Sequence, residues 1–353
     1  MKKIEQVIAG IQSLDSGVMQ KTQERLDSLT KPRGSLGRLE DLARLITGIT
    51  GKEVPEIKNK VIFTFAADHG ITEEGVSAFP KEVTGQMVYN FLNNGAGINV
   101  LAKHVGARVV VADLGVASDL KPHKNLLVKK INYGTGNFAK GPAMTKDEAI
   151  KAINAGIDIF EHEYIKGVDI AGTGEMGIGN TTSASAIAAV FTKKPVEMLT
   201  GRGTGINEEG LKNKVKIIER ALEINKPDSR DAIDVLLKVG GFEIGGLCGV
   251  ILRAASRRVP VVIDGFISFA AALIAYTLAP KVKDYMIASH ISVEKGHKMI
   301  LEHMGLVPIF DLNLRLGEGT GAALGINLAE ASIKILIQMA TFQSANVSEK
   351  TSI

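Results

Sequence analysis

Lys60-Val61-Ile62-Phe63-Thr64-Phe65, running on into Ala66-Ala67-Asp68-His69-Gly70, is the stretch from which the fold can be read. Its apolar residues are consecutive rather than alternating, the pattern of a strand covered on both faces. It then stops at a short polar turn with a glycine. Similar apolar runs occur at 107–113, 168–171, 236–239, 259–263, 285–288 and 306–311, with helical stretches between them. Buried strands separated by helices predict a mainly parallel sheet in a three-layer α/β/α arrangement. Residues 1–50 read differently. Ile4, Ile8, Ile11 and Leu14 recur at helical spacing, as do Leu36, Leu39, Leu42, Leu45 and Ile46. Between them 30–35 is a turn, with Ser35 placed to cap the second helix. We therefore expect a small helical region over 1–50, joined by a C-terminal helix at about 328–353, beside a large α/β catalytic domain over 51–327.

Bulk properties narrow the function. Forty-two basic against 38 acidic residues are spread along the chain, and aromatics make up 5% with no Trp. Neither a basic patch nor a stacking platform emerges, so nucleic-acid binding is not expected. The apolar stretch 259–278 is broken by Asp264, Gly265 and Ser268, which reads as strand, turn and buried helix rather than a membrane span. Cys248 is the only cysteine and lies in an apolar run. It reads as a buried small hydrophobe, and the lack of a disulfide partner points to a reducing, cytoplasmic location. The seven histidines have no metal-ligand spacing, so no metal or other cofactor is expected.

Glycine is abundant, 38 residues of 353, and it clusters where strands end. Open parallel sheets bind ligands at the carboxyl ends of their strands. There the chain carries Asp68-His69-Gly70, the run 172–183, Thr200-Gly201-Arg202-Gly203-Thr204-Gly205, Gly240-Gly241, Asp264-Gly265, Ser289-His290 and Gly317-Glu318-Gly319-Thr320-Gly321. Such a floor of exposed backbone donors suits an anion, phosphate above all. Gly172, Gly174 and Gly177 satisfy the spacing of a dinucleotide fingerprint, which leaves a nicotinamide-dependent oxidoreductase as an alternative. Glu175 inside that turn would repel a pyrophosphate, and no ribose-binding acid follows. Glu318 is flanked by glycines, so the backbone can press on a ligand while apolar neighbours raise the carboxyl pKa toward a useful general base. An acid capping the start of the following helix fits the same spacing. Glu175 is a second acid within glycines, and two such groups in one cleft would raise each other's pKa. Asp68-His69 reads equally as a catalytic pair or a structural hydrogen bond. Lys212 and Lys216 read as a solvated helix face.

Five of these segments occur together, in order and over the whole length. They are Lys31-Pro32-Arg33-Gly34-Ser35-Leu36-Gly37, Ala67-Asp68-His69-Gly70 with Glu74-Gly75-Val76, Gly174-Glu175-Met176-Gly177-Ile178-Gly179-Asn180-Thr181-Thr182, 201–205, and Arg315-Leu316-Gly317-Glu318-Gly319-Thr320-Gly321. In this the chain closely resembles the nicotinate-nucleotide–dimethylbenzimidazole phosphoribosyltransferase family. The resemblance implies transfer of phosphoribose from nicotinate mononucleotide to 5,6-dimethylbenzimidazole, giving α-ribazole 5′-phosphate and nicotinate for the lower ligand of cobalamin. It implies that Glu318 is the catalytic base and that Glu175 is a second acid near the ribose. Gly177, Gly203 and Lys214 would hold the phosphate, and Asp264, Ser289 and Ser292 would line the same cleft. Phe79 and Met87 would lie beside the aromatic base, for which some relatives use other aromatics, phenols included, and Leu316 would be a further substrate-binding residue. The resemblance also implies a homodimer, or a heterodimer with a paralogue, in which N-terminal segments help close the partner's site.

Overall fold

In the computed structural model, which describes residues 1–348, six strands form one parallel sheet in the order β3-β2-β1-β4-β5-β6. The strands are β1 (Lys60–Ala67), β2 (Ala107–Gly115), β3 (Leu126–Val128), β4 (Ile170–Met176), β5 (Val261–Ile263) and β6 (Met286–Ala288). Three helices precede the sheet, α1 (Lys2–Ala9), α2 (Ser16–Ser28) and α3 (Arg38–Thr50). Next come α4 (Val83–Leu92), α5 (Gly97–Val105) and α6 (Lys146–Tyr164). After β4 run α7 (Asn180–Thr192), α8 (Val196–Leu199), α9 (Glu208–Asn225), α10 (Ala232–Val239) and α11 (Phe242–Ser256). The last are α12 (Phe266–Leu278), α13 (Lys295–Met304), α14 (Thr320–Gln338) and α15 (Phe342–Ala345).

Consecutive strand residues point to opposite faces, and here both faces are dry. Val61, Phe63 and Phe65 of β1 join the apolar layer made with α6, α11 and α12. Ile62 and Ala66, one position out of phase, join the opposite layer with α3, α5 and α14. That explains the unbroken apolar run in the sequence. Helix α1 packs on α6 and α11, while α2 and α3 pack with α14. Helix α14 is the described helix long and apolar enough to cross a membrane by length and composition alone. It lies across β4 and β5 as a core element.

Several expectations need correction. Residues 236–239 are the end of α10, whose Asp231 caps the helix start through the N–H groups of Ile233 and Asp234. Three apolar residues and Lys238 cannot distinguish a buried strand from the buried face of a helix. Residues 306–311 form no strand; a single parallel bridge joins Phe310 to His290. The short edge strand β3 escaped notice. Strand β4 runs on to Met176, so Gly172, Thr173, Gly174 and Glu175 are extended strand rather than loop. Helix α3 starts after Gly37 rather than Ser35. The C-terminal helix expected at about 328–353 instead begins at Thr320 and ends at Gln338, and 349–353 lie outside the described residues.

Backbone contact between α6 and α11 holds one outer layer together. A Cβ built on Gly156 would lie 1.8 Å from the Gly246 carbonyl oxygen, and one on Gly249 would lie 2.0 Å from that of Ile153. Neither obstacle is a movable side chain. Gly156→Ala is expected to destabilise the protein by about 2 kcal/mol or more, as overpacking against rigid atoms does. Denaturant unfolding checks this, and an unchanged midpoint would mean the two helices do not touch.

Candidate active site

Strand order reverses between β1 and β4, since the chain builds outward through β2 and β3 before returning to β1's other edge. Connections therefore diverge at that point and leave a crevice beyond the strand ends. A cleft of about 620 Å³ opens there. Met176, Gly177, Ile178, Asn180 and Thr181 form its floor, Phe79 and Met87 one wall, and Gly265–Ile267, His290, Ser292, Glu294 and residues 313–318 the other.

Glu318 enters the cleft from a turn in which three successive residues have positive φ, Gly317 at 81°, Glu318 at 62° and Gly319 at 101°. A non-glycine residue held there costs of order 1 kcal/mol, so the surroundings must impose it. They do so through close backbone contact. A Cβ on Gly174 would lie 2.2 Å from the Glu318 carbonyl oxygen, which also accepts a hydrogen bond from Thr64 Oγ1 at 3.0 Å. The side chain is 5% exposed, and its Oε2 accepts the Ile98 N–H at 3.1 Å. Burial raises its pKa above the usual carboxylate range, opposed by the backbone N–H groups of Ile98 and Gly97. The acid thus caps a helix, but that helix is α5 and not the one it precedes.

The following helix is capped by Asp264 instead. Asp264 Oδ2 accepts from Gly319 N at 3.2 Å and Oδ1 from Ala322 N at 3.0 Å. Burial pushes its pKa up to about 7 against these backbone donors. Glu175, at the end of β4, is 6% exposed and accepts from Asn180 Nδ2 through Oε2. Its pKa is pushed up to about 8, first by burial and then by the carboxylates of Asp264, Glu243 and Glu318, with Asn180 acting the other way. At neutral pH it is mostly the uncharged acid. Of the expected mutual effect, only the action of Glu318 on Glu175 emerges, and loss of solvent dominates for both acids.

Opposite the acids lies a corner rich in backbone donors. Helix α7 starts at Asn180 after Gly179 at φ 96°, with no side-chain cap on its first turn, so its N–H groups and positive dipole end face the floor. Beside it Gly203, at φ 52°, meets Lys214, which is fully buried and donates to Thr181 Oγ1 at 2.7 Å. Burial lowers the Lys214 pKa to about 8, with the Glu294 charge working against it. Lys212 and Lys216 are exposed on the same helix.

The structure brings together Glu318, Glu175, Gly177, Gly203, Ser292, Phe79, Met87 and Leu316, all of which line the cleft. Lys214 stands just behind Gly203 and Thr181. Two of the expected lining residues lie deeper. The Asp264 carboxylate is occupied with the start of α14, and Ser289 Oγ donates to the Asp264 carbonyl at 2.9 Å and meets His290 Nδ1 at 3.0 Å. They support the cleft from beneath. His69 pairs with Glu243 at 2.5 Å and with Ser183 at 3.1 Å, all buried, so the suggested Asp68-His69 pair does not form. Asp68 accepts the Ala117 N–H at 2.7 Å instead. Asn180 and Thr181 were legible only as part of a motif. Thr204 and His290 were likewise legible only as members of strand-end clusters, and Glu294 carried no local signal. Thr204 Oγ1 accepts from Ala78 N at 2.9 Å and meets Ser77 Oγ at 3.0 Å, tying two loops together beside Phe79.

Gly172 and Gly174 do not form a dinucleotide loop. The space a Cβ would take on Gly172 is filled by Ala322, Ile326 and Ile62, and on Gly174 by the Glu318 turn. They are strand residues against which α14 packs.

An acid whose folded pKa lies above its unfolded value stabilises the fold while protonated. That contribution is complete below pH 4.5, the ordinary value, and is lost as pH rises through about 8 for Glu175. Glu175→Gln keeps an acceptor for Asn180 but cannot ionise. Relative to the parent chain it is expected to gain stability as pH rises from about 5 to 8. Thermal unfolding across that range checks it, and parallel profiles would mean Glu175 ionises freely.

A family model described as phosphoribosyltransferase matches residues 11–347. The chain is 57% identical over 349 residues to the nicotinate-nucleotide–dimethylbenzimidazole phosphoribosyltransferase of Desulforudis audaxviator, covering 99% of both chains. It is 55% identical over the same length to that of Geobacter sulfurreducens, again covering 99% of each. A crystal structure of the Thermus thermophilus enzyme of the same name superposes with a TM-score of 0.91 at 42% identity, covering 96% of this chain and 100% of that one. With this similarity running from end to end, the chain belongs to the nicotinate-nucleotide–dimethylbenzimidazole phosphoribosyltransferase family.

Proposed function

We propose that this protein transfers 5-phosphoribose from nicotinate mononucleotide to 5,6-dimethylbenzimidazole, releasing α-ribazole 5′-phosphate and nicotinate with inversion at C1′. The observation that carries the reading is Glu318, a nearly buried carboxyl with a raised pKa, at the mouth of a cleft whose other end is built of backbone donors. Membership of the family names the two substrates.

The aromatic base lies between Phe79, Met87 and Leu316, where apolar walls accept a flat ring. Glu318 accepts the proton from one ring nitrogen. The other nitrogen then attacks C1′ from the face opposite nicotinate, the C1′–nicotinate bond breaks, and its electron pair neutralises the pyridinium ring. A desolvated carboxylate is a stronger base than a solvated one, so burial helps the proton transfer. Glu175 stands beside the ribose as a neutral acid, donating or accepting a hydrogen bond without adding negative charge near the phosphate. The phosphate rests on Gly177, Gly203 and the start of α7, with Lys214 as counter-charge.

Lys31–Gly37 do not line this cleft, and Pro32 to Ser35 are exposed. We assign the loop to closing the cleft of a second copy, in a dimer. A reducing cytoplasmic setting is consistent with Cys248, the sole cysteine, whose thiol burial pushes far up.

Base-dependent release of nicotinate from nicotinate mononucleotide, measured with dimethylbenzimidazole and a panel of other aromatics, tests the reaction. Release without any base, or only with a phenol, would replace the acceptor named here. Glu318→Gln is expected to lower turnover by ~10²-fold or more, the usual contribution of a placed general base. Full turnover in that variant would remove Glu318 from the role. Lys214→Ala is expected chiefly to raise the KM for the nucleotide, and an unmoved KM would return it to a packing role.

A further inference from the structure

Glu294 is used in an unexpected way. It is the N-cap residue of α13, yet its carboxylate makes no cap with that helix. It turns instead toward the phosphate corner, where Oε1 accepts the Gly203 N–H at 3.1 Å. Oε2 is buried with no hydrogen-bond partner among the described residues. A Cβ on Gly201 would lie 1.9 Å from Oε2, so the 201–203 loop passes directly beneath the carboxylate. The residue is 9% exposed and lines the cleft. Its charge also helps keep Lys214 protonated.

A carboxylate with one unsatisfied oxygen, on the backbone donor and beside the ammonium that an anion needs, sits where it resembles that anion. We propose that Glu294 competes with the incoming phosphate for the Gly203 N–H and the Lys214 charge, and thereby sets the affinity of the cleft for phosphorylated substrate. The inference rests on the reading that Gly203 and Lys214 hold the phosphate. Like charges a few ångströms apart in a partly dry site repel strongly, so phosphate and the Glu294 carboxylate do not share the corner. A second cavity of about 780 Å³ gives the displaced side chain somewhere to turn. It shares Glu294 and Arg315 with the cleft and carries Arg202, Lys212, Lys216 and Lys295 along with Glu197, Glu208 and Glu219, so basic residues outnumber the acids that would face Glu294 there. The arrangement leaves the Glu294 charge, rather than an anion, facing Lys214 in the absence of substrate, and weakens the hold on phosphorylated product, which helps it leave.

Glu294→Gln separates charge from hydrogen bonding, because its amide oxygen can still accept from Gly203. Titration with inorganic phosphate, followed by calorimetry, is expected to show affinity rising about tenfold in this variant. The KM for nicotinate mononucleotide is expected to fall in parallel, with no gain for nicotinate riboside, which has no phosphate. Glu294→Asp, which withdraws the charge by one methylene, is expected to give a smaller gain. A merely structural role would lower affinity or leave it alone. Unchanged or weaker phosphate binding in Glu294→Gln, or an equal gain for the riboside, overturns the proposal. Lys214→Ala distinguishes the two levels. If it leaves phosphate affinity intact, the phosphate assignment itself fails, whereas weakened binding there with no gain in Glu294→Gln sinks only the competition.

Discussion

The close approach of one turn to one strand is the constraint on which the site depends. Glu318 can point into the cleft only because residues 317–319 all adopt positive φ, and they do so because the turn lies directly on β4 at Gly174. Asp264 anchors the next residues by capping the first turn of α14. Strand, turn and helix are therefore one unit. The strain stored in Glu318 is held by hydrogen bonds and contacts that also bury its carboxyl group, so conformation and acidity have the same cause.

The second theme is charge taken out of water. Glu175, Asp264 and Glu318 are each nearly inaccessible, and burial shifts all three toward the protonated form. Their neighbours divide the tasks. Asp264 is held by backbone donors and organises the turn, Glu175 is left neutral, and Glu318 remains open to the cleft. Across the cleft a single buried lysine faces Glu294. Removing any one of these charges alters the others, since little solvent remains to screen them.

How much was legible in the residues can be judged from particular segments. The run 60–65 identified a strand and, by being apolar throughout, its two covered faces, because side-chain periodicity is a local property. The same logic failed at 236–239, where Leu236, Leu237 and Val239 belong to a helix whose start is set by Asp231. At 168–171 it found a strand but not its end, since β4 continues through glycines that look like a loop. Those glycines are required by contacts with Glu318, Ala322 and Ile326, all far away in the chain, which no local rule can see.

Residue type and spacing alone determined a parallel α/β sheet, a set of glycine-bearing strand ends and two acids embedded in glycine, because propensity and pattern act over a few residues. They did not determine which acid is charged, that Asp264 braces a helix instead of facing the ligand, or that Glu294 lies in the phosphate corner. Those depend on burial and on neighbours distant in the chain. Only when the connections leaving β1 and β4 diverge and α14 lies across β4 and β5 do the local environments exist that decide protonation and access.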